Sequence, residues 1–182
     1  MTCIVGIRSK GKVWLGSDSI MVSGWDSTAC HDKLFRSGPY LLACSGAPAL
    51  HNVIQYDPKV LPEPKGPFFR HVVTKLIPAL RDIAKNTGQM KKAGEVEQET
   101  PSTFLLAYKG YLCSVFGDFQ ILRPTRPWVV EGVGRSAARG ALYAIYRGGR
   151  PKMVPHAQII LALEAATEFS IGVRRPFHVM HT

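Results

Sequence analysis

The apolar residues of this chain switch between the alternation of strands and the stripe of helices more than once, and few folds accommodate that order. Residues 3–8 and 13–16 read as strands around the turn Ser9-Lys10-Gly11-Lys12. Beyond a loop through Ser23-Gly24-Trp25-Asp26, residues 33–36 and 40–44 make a second pair around Gly38-Pro39. Leu50, Val53 and Ile54 then repeat at helical spacing behind Pro48. Phe69, Val72, Val73, Leu76, Leu80 and Ile83 trace a second helical stripe, which Pro78 should kink and Gly88 should stop. The polar stretch 86–102 reads as a surface connection. Strand-like runs return at 103–108, 111–116, 119–122 and 128–130, as an antiparallel meander. Alanine- and leucine-rich helices over 136–146 and 154–169 precede a last short strand at 177–180. Helices and antiparallel strands segregated in this way predict an α+β fold: two antiparallel sheets with helices outside them, a four-layer αββα sandwich.

At 182 residues and 46% hydrophobic, the chain is expected to form one domain, residues 1–182, around a sizeable core. No run approaches the roughly 18 apolar residues of a membrane span, and no leader pattern opens the chain, so a cytoplasmic protein is expected. Cys3, Cys30, Cys44 and Cys113 form no CxxC pair and read as reduced thiols. Neither they nor the histidines supply zinc-ligand spacing, so no metal or cofactor is expected; His178 and His181 read as part of a solvated tail. The net charge of +10 makes nucleic acid a rival partner, although the basic residues are scattered along the sequence.

The chemistry centres on Thr2. A small residue after the initiator methionine is the situation in which Met1 is trimmed, leaving threonine with a free α-amine. That amine, with an unperturbed pKa of about 7.7–8.0, can take the proton of the hydroxyl beside it, so one residue supplies nucleophile and base.

Four further segments stand at telling positions. Thr2-Cys3-Ile4-Val5, Gly16-Ser17-Asp18-Ser19, Asp32-Lys33-Leu34-Phe35-Arg36 and Cys44-Ser45-Gly46-Ala47 together resemble the opening strand, Gly-x-Asp segment, lysine strand and glycine turn of the N-terminal nucleophile hydrolases of the proteasome β-subunit and HslV type. The resemblance implies a threonine peptidase that hydrolyses unfolded polypeptides inside a ring-shaped homo-oligomer, with an ATP-dependent unfoldase as a further implied partner. It casts Thr2 as nucleophile and Lys33 as the cation that tunes the amine. Asp18 holds Lys33, and the Gly46 N–H faces the oxyanion. Residues 21–31 and the helix at Pro48 would wall the specificity pocket, with Met21, Cys44 and Ala49 as lining and a medium apolar side chain as the substrate residue.

The chain also departs from the family pattern. Val133 and Arg135 replace the serines of its Gly-Ser-Gly-Ser segment, leaving Ser136 as the hydroxyl one residue along. Ser170 stands near the place of a late aspartate. Those departures favour, as the alternative, an inactive assembly protein of the same fold. A basic nucleic-acid-binding protein ranks lower, as does a Cys–His or Ser–His site built from Cys30, Cys44 or Ser45 with His31 or His51, since His51 is expected at the solvated edge of its helix.

Overall fold

The computed structural model describes residues 1–23, 25–29, 33–46, 48–57, 59–93, 96–149 and 151–182. The first hairpin pairs β1 (Cys3–Ser9) with β2 (Lys12–Ser17) in the register Ile4 opposite Ser17 through Ser9 opposite Lys12. Next comes a small separate hairpin, β3 (Ile20–Ser23) with β4 (Asp26–Ala29), where the sequence suggested only a loop. β4 is exposed throughout and polar at three of its four residues, so no apolar alternation marked the strand. β5 (Leu34–Ser37) and β6 (Tyr40–Ser45) form the expected pair.

Helix α1 (Pro48–Tyr56) follows. Then α2 (Phe68–His71), a π-helical turn over Val72–Leu76 and α3 (Ile77–Asn86) run on without a break. Pro78 has no N–H to donate to the carbonyl four residues back and its ring crowds that carbonyl; the wider π turn directly before it is the local form of the expected kink. The stretch read as a surface connection contains a short hairpin, β7 (Lys91–Ala93) with β8 (Val96–Glu99).

β9 (Thr103–Tyr108), β10 (Tyr111–Val115) and β11 (Ile121–Leu122) make the meander, but β12 (Trp128–Gly132) leaves it and pairs antiparallel with β1. Period-two patterning identifies a strand without naming its neighbour, and the bend through Pro124 and Pro127 lets the chain cross between sheets. Helices α4 (Arg135–Tyr146) and α5 (Pro155–Phe169) precede β13 (His178–His181), which pairs with β2. His178 and His181 are therefore strand residues rather than a solvated tail, and His181 lies against Trp14 with ring centroids 4.5 Å apart. The larger sheets have the orders β12-β1-β2-β13 and β11-β10-β9-β6-β5.

Alternate side chains of these strands enter different apolar clusters. Cys3, Val5, Ile7, Trp128 and Val130 pack with Ala138, Leu142, Ile159 and Leu163 of α4 and α5. On the opposite face Ile4, Val13, Leu15 and Val129 meet Leu41, Ala43, Leu105 and Ala107 of the other sheet. Tyr40, Leu42, Phe104 and Leu106, one position along, meet Leu50, Leu76 and Leu80 of the first helical block. Strands covered on both faces lose the polar half of their alternation, which is why residues 3–7, 40–44 and 104–107 read as near-continuous apolar runs. Among the described residues, no helix is long and apolar enough to cross a membrane.

Leu105, fully buried between the sheets, should be far more sensitive to truncation than the partly exposed Leu161 of α5. Leu105→Ala is expected to cost about 2–5 kcal/mol and Leu161→Ala about 1 kcal/mol or less, read from urea denaturation midpoints.

Candidate active site

The start of β1 is tied on both sides. The Thr2 carbonyl accepts the Val133 N–H at 2.8 Å just beyond β12, and the Cys3 carbonyl accepts the Asp18 N–H at 3.3 Å just beyond β2. Thr2 is thus held at the edge of two strand ends and, with Met1 attached, is only 4% exposed.

Asp18 is fully buried, and its carboxylate is saturated with donors. Oδ1 accepts the Cys3 N–H at 2.8 Å, while Oδ2 accepts the Ile20 N–H at 3.1 Å and the Lys33 ammonium at 2.8 Å. A carboxylate without water requires such partners, because an unpaired buried charge costs several kcal/mol. Lys33, itself 8% exposed, also donates to the Ile20 carbonyl and, at 3.4 Å, to the Met1 carbonyl. The Thr2 hydroxyl donates to that same Met1 carbonyl at 2.5 Å. Thr2 and Lys33, remote in sequence, therefore converge on one oxygen, that of the peptide bond joining Met1 to Thr2.

Gly46 lies on the neighbouring strand end. The Cys44 N–H donates to the Lys33 carbonyl at 2.7 Å, so Gly46 follows two residues past the partner of Lys33. Its φ of +118° and the Pro101 carbonyl oxygen, 1.9 Å from where a Cβ would sit, admit no side chain. The turn alone requires glycine here, whatever its N–H binds. Ala47, Cys30, His31 and Asp32 lie outside the described residues, as does part of the segment expected to wall a pocket.

Neither substitute hydroxyl reaches the centre. Ser136 is exposed on the first turn of α4 and Ser170 is half-buried just past α5; among the described residues neither side chain hydrogen-bonds to Thr2, Asp18 or Lys33. Val133, at the serine position, is 52% exposed and contributes its backbone N–H instead.

Two expectations need correction. His51 is not solvated: it is 5% exposed, its ring stands edge-on to Phe104 at 5.4 Å, and burial holds its pKa down to about 4. The helical face that carries Leu50 and Ile54 is wide enough to include it. Cys44 is fully buried in the core and lines no surface pocket, and Met21 is exposed. Burial also raises the Cys44 thiol well above its ordinary range. The Cys3 thiol, beside Thr2, is pushed up to about 12 by burial and then by Asp18, with Lys33 opposing. These two cysteines are protonated and unreactive at neutral pH.

Two features went unread in the sequence. The Met1 side chain packs on Gly172, where a Cβ would stand 2.3 Å from that of Met1, so Met1 fills a niche beside Thr2. Glu131, 4% exposed on β12, meets Ser114 Oγ at 3.3 Å and Arg139 at 3.4 Å; burial raises its pKa, while Arg139 and Ser114 oppose the rise. A lone carboxylate in the apolar run Trp128-Val129-Val130-Glu131 was the available signal.

No protein-family model matches the chain, and no curated protein matches it in sequence. Its shape does match solved structures. BPH of Thiobacillus denitrificans, in complex with epoxomicin, has a TM-score of 0.78 and 18% identity over 100% of this chain and 98% of that one. Eukaryotic HslV from Trypanosoma brucei gives 0.67 and 16% over 99% and 98% of the two chains. A mutant Anbu from Hyphomicrobium sp. strain MC1 gives 0.71 and 15% over 100% and 82%. The fold is that of the N-terminal nucleophile hydrolases. Within that class it is the HslV-like, proteasome-type fold.

Removing one member of the buried ion pair should be worse than removing both. Asp18→Ala is expected to lower the unfolding free energy by about 3–5 kcal/mol, and the pair Asp18→Ala with Lys33→Met to recover part of it, measured by urea denaturation. His51 gives a second expectation. Its folded pKa lies below the ordinary 6.5, so the unfolded chain binds the extra proton between pH 6.5 and about 4. The resulting stability is present in full above pH 6.5 and falls as pH drops through that window, by about 1–3 kcal/mol. The difference in stability between the parent and His51→Leu, measured at pH 7.5 and pH 4.5, should shift in favour of the variant at the lower pH.

Proposed function

We propose that residues 1–182 form one domain of the four-layer αββα type and act as a threonine peptidase with Thr2 as nucleophile once Met1 is removed. The three apolar clusters, each between a different pair of layers, support the layering. The observation that carries the activity is the convergence of the Lys33 ammonium and the Thr2 hydroxyl on the Met1 carbonyl, with Asp18 holding Lys33 from behind.

In the chain that retains Met1, the α-amine belongs to the wrong residue and Thr2 is covered. Removing Met1 gives Thr2 a free amine, opens the niche on Gly172 and releases one donor position of Lys33. The Thr2 oxygen then attacks a substrate carbonyl carbon while the Thr2 amine takes the hydroxyl proton. Collapse of the tetrahedral intermediate breaks the C–N bond, and the departing amine takes that proton. Water hydrolyses the remaining ester by the same route. The positive field of the Lys33 ammonium, which Asp18 holds in place, disfavours a second cation on the Thr2 amine and stabilises the alkoxide as it forms. The Gly46 N–H, at the turn before α1, serves the oxyanion.

By likeness to its structural neighbours, the chain assembles as a homo-oligomeric ring in the cytoplasm and takes unfolded polypeptide, with an ATP-dependent unfoldase as partner. The structure of the similar BPH in complex with epoxomicin supports a ligand-accepting site in this fold. An inactive assembly of the same fold is the second reading, favoured by the missing hydroxyl at Val133 and the outward position of Ser136.

The test is the intact mass of the purified protein before and after incubation with a peptide epoxyketone. Loss of Met1 and a single adduct on Thr2 are expected. Thr2→Ala should abolish the adduct, and Lys33→Ala should slow its formation by about a hundredfold or more. Retained Met1 with no adduct would sink the peptidase reading in favour of the inactive assembly.

A further inference from the structure

The far end of β1 opens on a second site. Arg8 lies six residues from Thr2 along an extended strand, roughly 20 Å away at 3.3 Å per residue. There the β1–β2 turn, the start of β12 and described residues of the segments 143–149 and 151–158 border an open cavity of about 1290 Å³. Cations that looked scattered in the sequence, Arg8, Lys10, Lys12, Arg126, Arg147 and Lys152, all line it, and its described lining contains no aspartate or glutamate.

Two further features distinguish it from a merely basic surface. Trp14, Trp128, Tyr143 and Tyr146 contribute aromatic walls, and Arg126 already lies over the rings of Trp128 and Tyr143 at 5.1 and 5.7 Å. Gln158, a lining residue only 2% exposed, donates its amide N–H to the Met153 carbonyl at 2.5 Å and leaves Oε1 buried with no partner. The buried Arg8 Nε is likewise unpartnered, although the same guanidinium donates to the Pro124 and Arg126 carbonyls, each at 2.9 Å. Buried polar atoms without partners are uncommon, and here they adjoin a cavity roomier than the roughly 300–1,000 Å³ of small-molecule sites.

We propose that this cavity binds a nucleotide. Its phosphates would lie among Lys12, Arg147 and Lys152, its base against the aromatic wall, and a base N–H would satisfy Gln158 Oε1. Phosphate alone would leave the aromatic wall and the Gln158 acceptor unused, and an uncharged ring would leave the cations unneutralised. Binding here does not depend on Thr2 or on the peptidase reading.

The test is titration calorimetry of the full chain with ATP in EDTA, beside tripolyphosphate and adenosine as half-ligands. One site per chain is expected, with ATP at least about tenfold tighter than either half. Arg147→Glu with Lys152→Glu should weaken ATP about tenfold or more through lost phosphate contacts. Tyr143→Ala should weaken ATP about fivefold and leave tripolyphosphate unchanged, as loss of stacking requires. Arg70→Glu with Lys75→Glu, in a different surface hollow, removes the same charge and should leave ATP binding within about twofold. The proposal is overturned by absence of saturable ATP binding. It is equally overturned by tripolyphosphate binding as tightly as ATP with no effect of Tyr143→Ala, or by equal losses in the two charge-reversal pairs, either of which would mark attraction to a +10 chain alone.

Discussion

The Asp18 carboxylate ties three segments of the chain to one buried point. It takes the Cys3 N–H at the start of β1, the Ile20 N–H where the chain leaves β2, and the Lys33 ammonium just before β5. Cys3 belongs to the end of one large sheet, Ile20 to the start of the small β3–β4 hairpin, and Lys33 to the entry of the other large sheet. A charge this deep is tolerated only because each oxygen is used, and the bonds that satisfy it also clamp the two sheets together at the Thr2 end. Position and chemistry are thereby linked: Lys33 is fixed by the partner that neutralises it, and its remaining donor has one direction to point.

The same sheet ends differently at its other extremity. At the Thr2 end, the charged groups are one buried carboxylate and one ammonium, and they satisfy each other. At the Arg8 end, α4, α5 and the described residues between them border an open cavity in which positive charges face one another, with no carboxylate among the described lining. Like charges crowded together oppose folding, and a chain that keeps them on one side of the molecule retains an attraction for anions there. The antiparallel register that sets Ile7 opposite Trp128 and Trp14 delivers aromatic rings to that end. The two extremities of β1 thus carry opposite electrostatic designs on a shared apolar layer.

Met1 shapes the first of these sites as much as Thr2, Asp18 and Lys33 do. Its carbonyl receives both the Thr2 hydroxyl and Lys33, and its side chain rests on Gly172. Thr2 and Lys33 are held by the strand pairing around Cys3 and by the Asp18 network as well as by their contacts with Met1.

Much of this was legible in the amino-acid order. Turn residues and apolar period located the main hairpins and the helices, since those signals are local. The family-like segments singled out Thr2, Asp18 and Lys33, because their chemistry needs particular side chains in a particular order. What the order left open is non-local. β12 could be recognised as a strand but not as the partner of β1. The exposed, mostly polar strand β4 carried no apolar alternation to read. His51 fell on a helix edge whose burial depends on Phe104, more than fifty residues away. Arg8, Arg126, Arg147 and Lys152 were unrelated cations until the packing of α4 and α5 on the sheet set them around one cavity. Local patterning specifies which elements form, because it reports the free energy of each segment in water; which elements meet depends on burial shared between distant segments, and only the tertiary structure decides it.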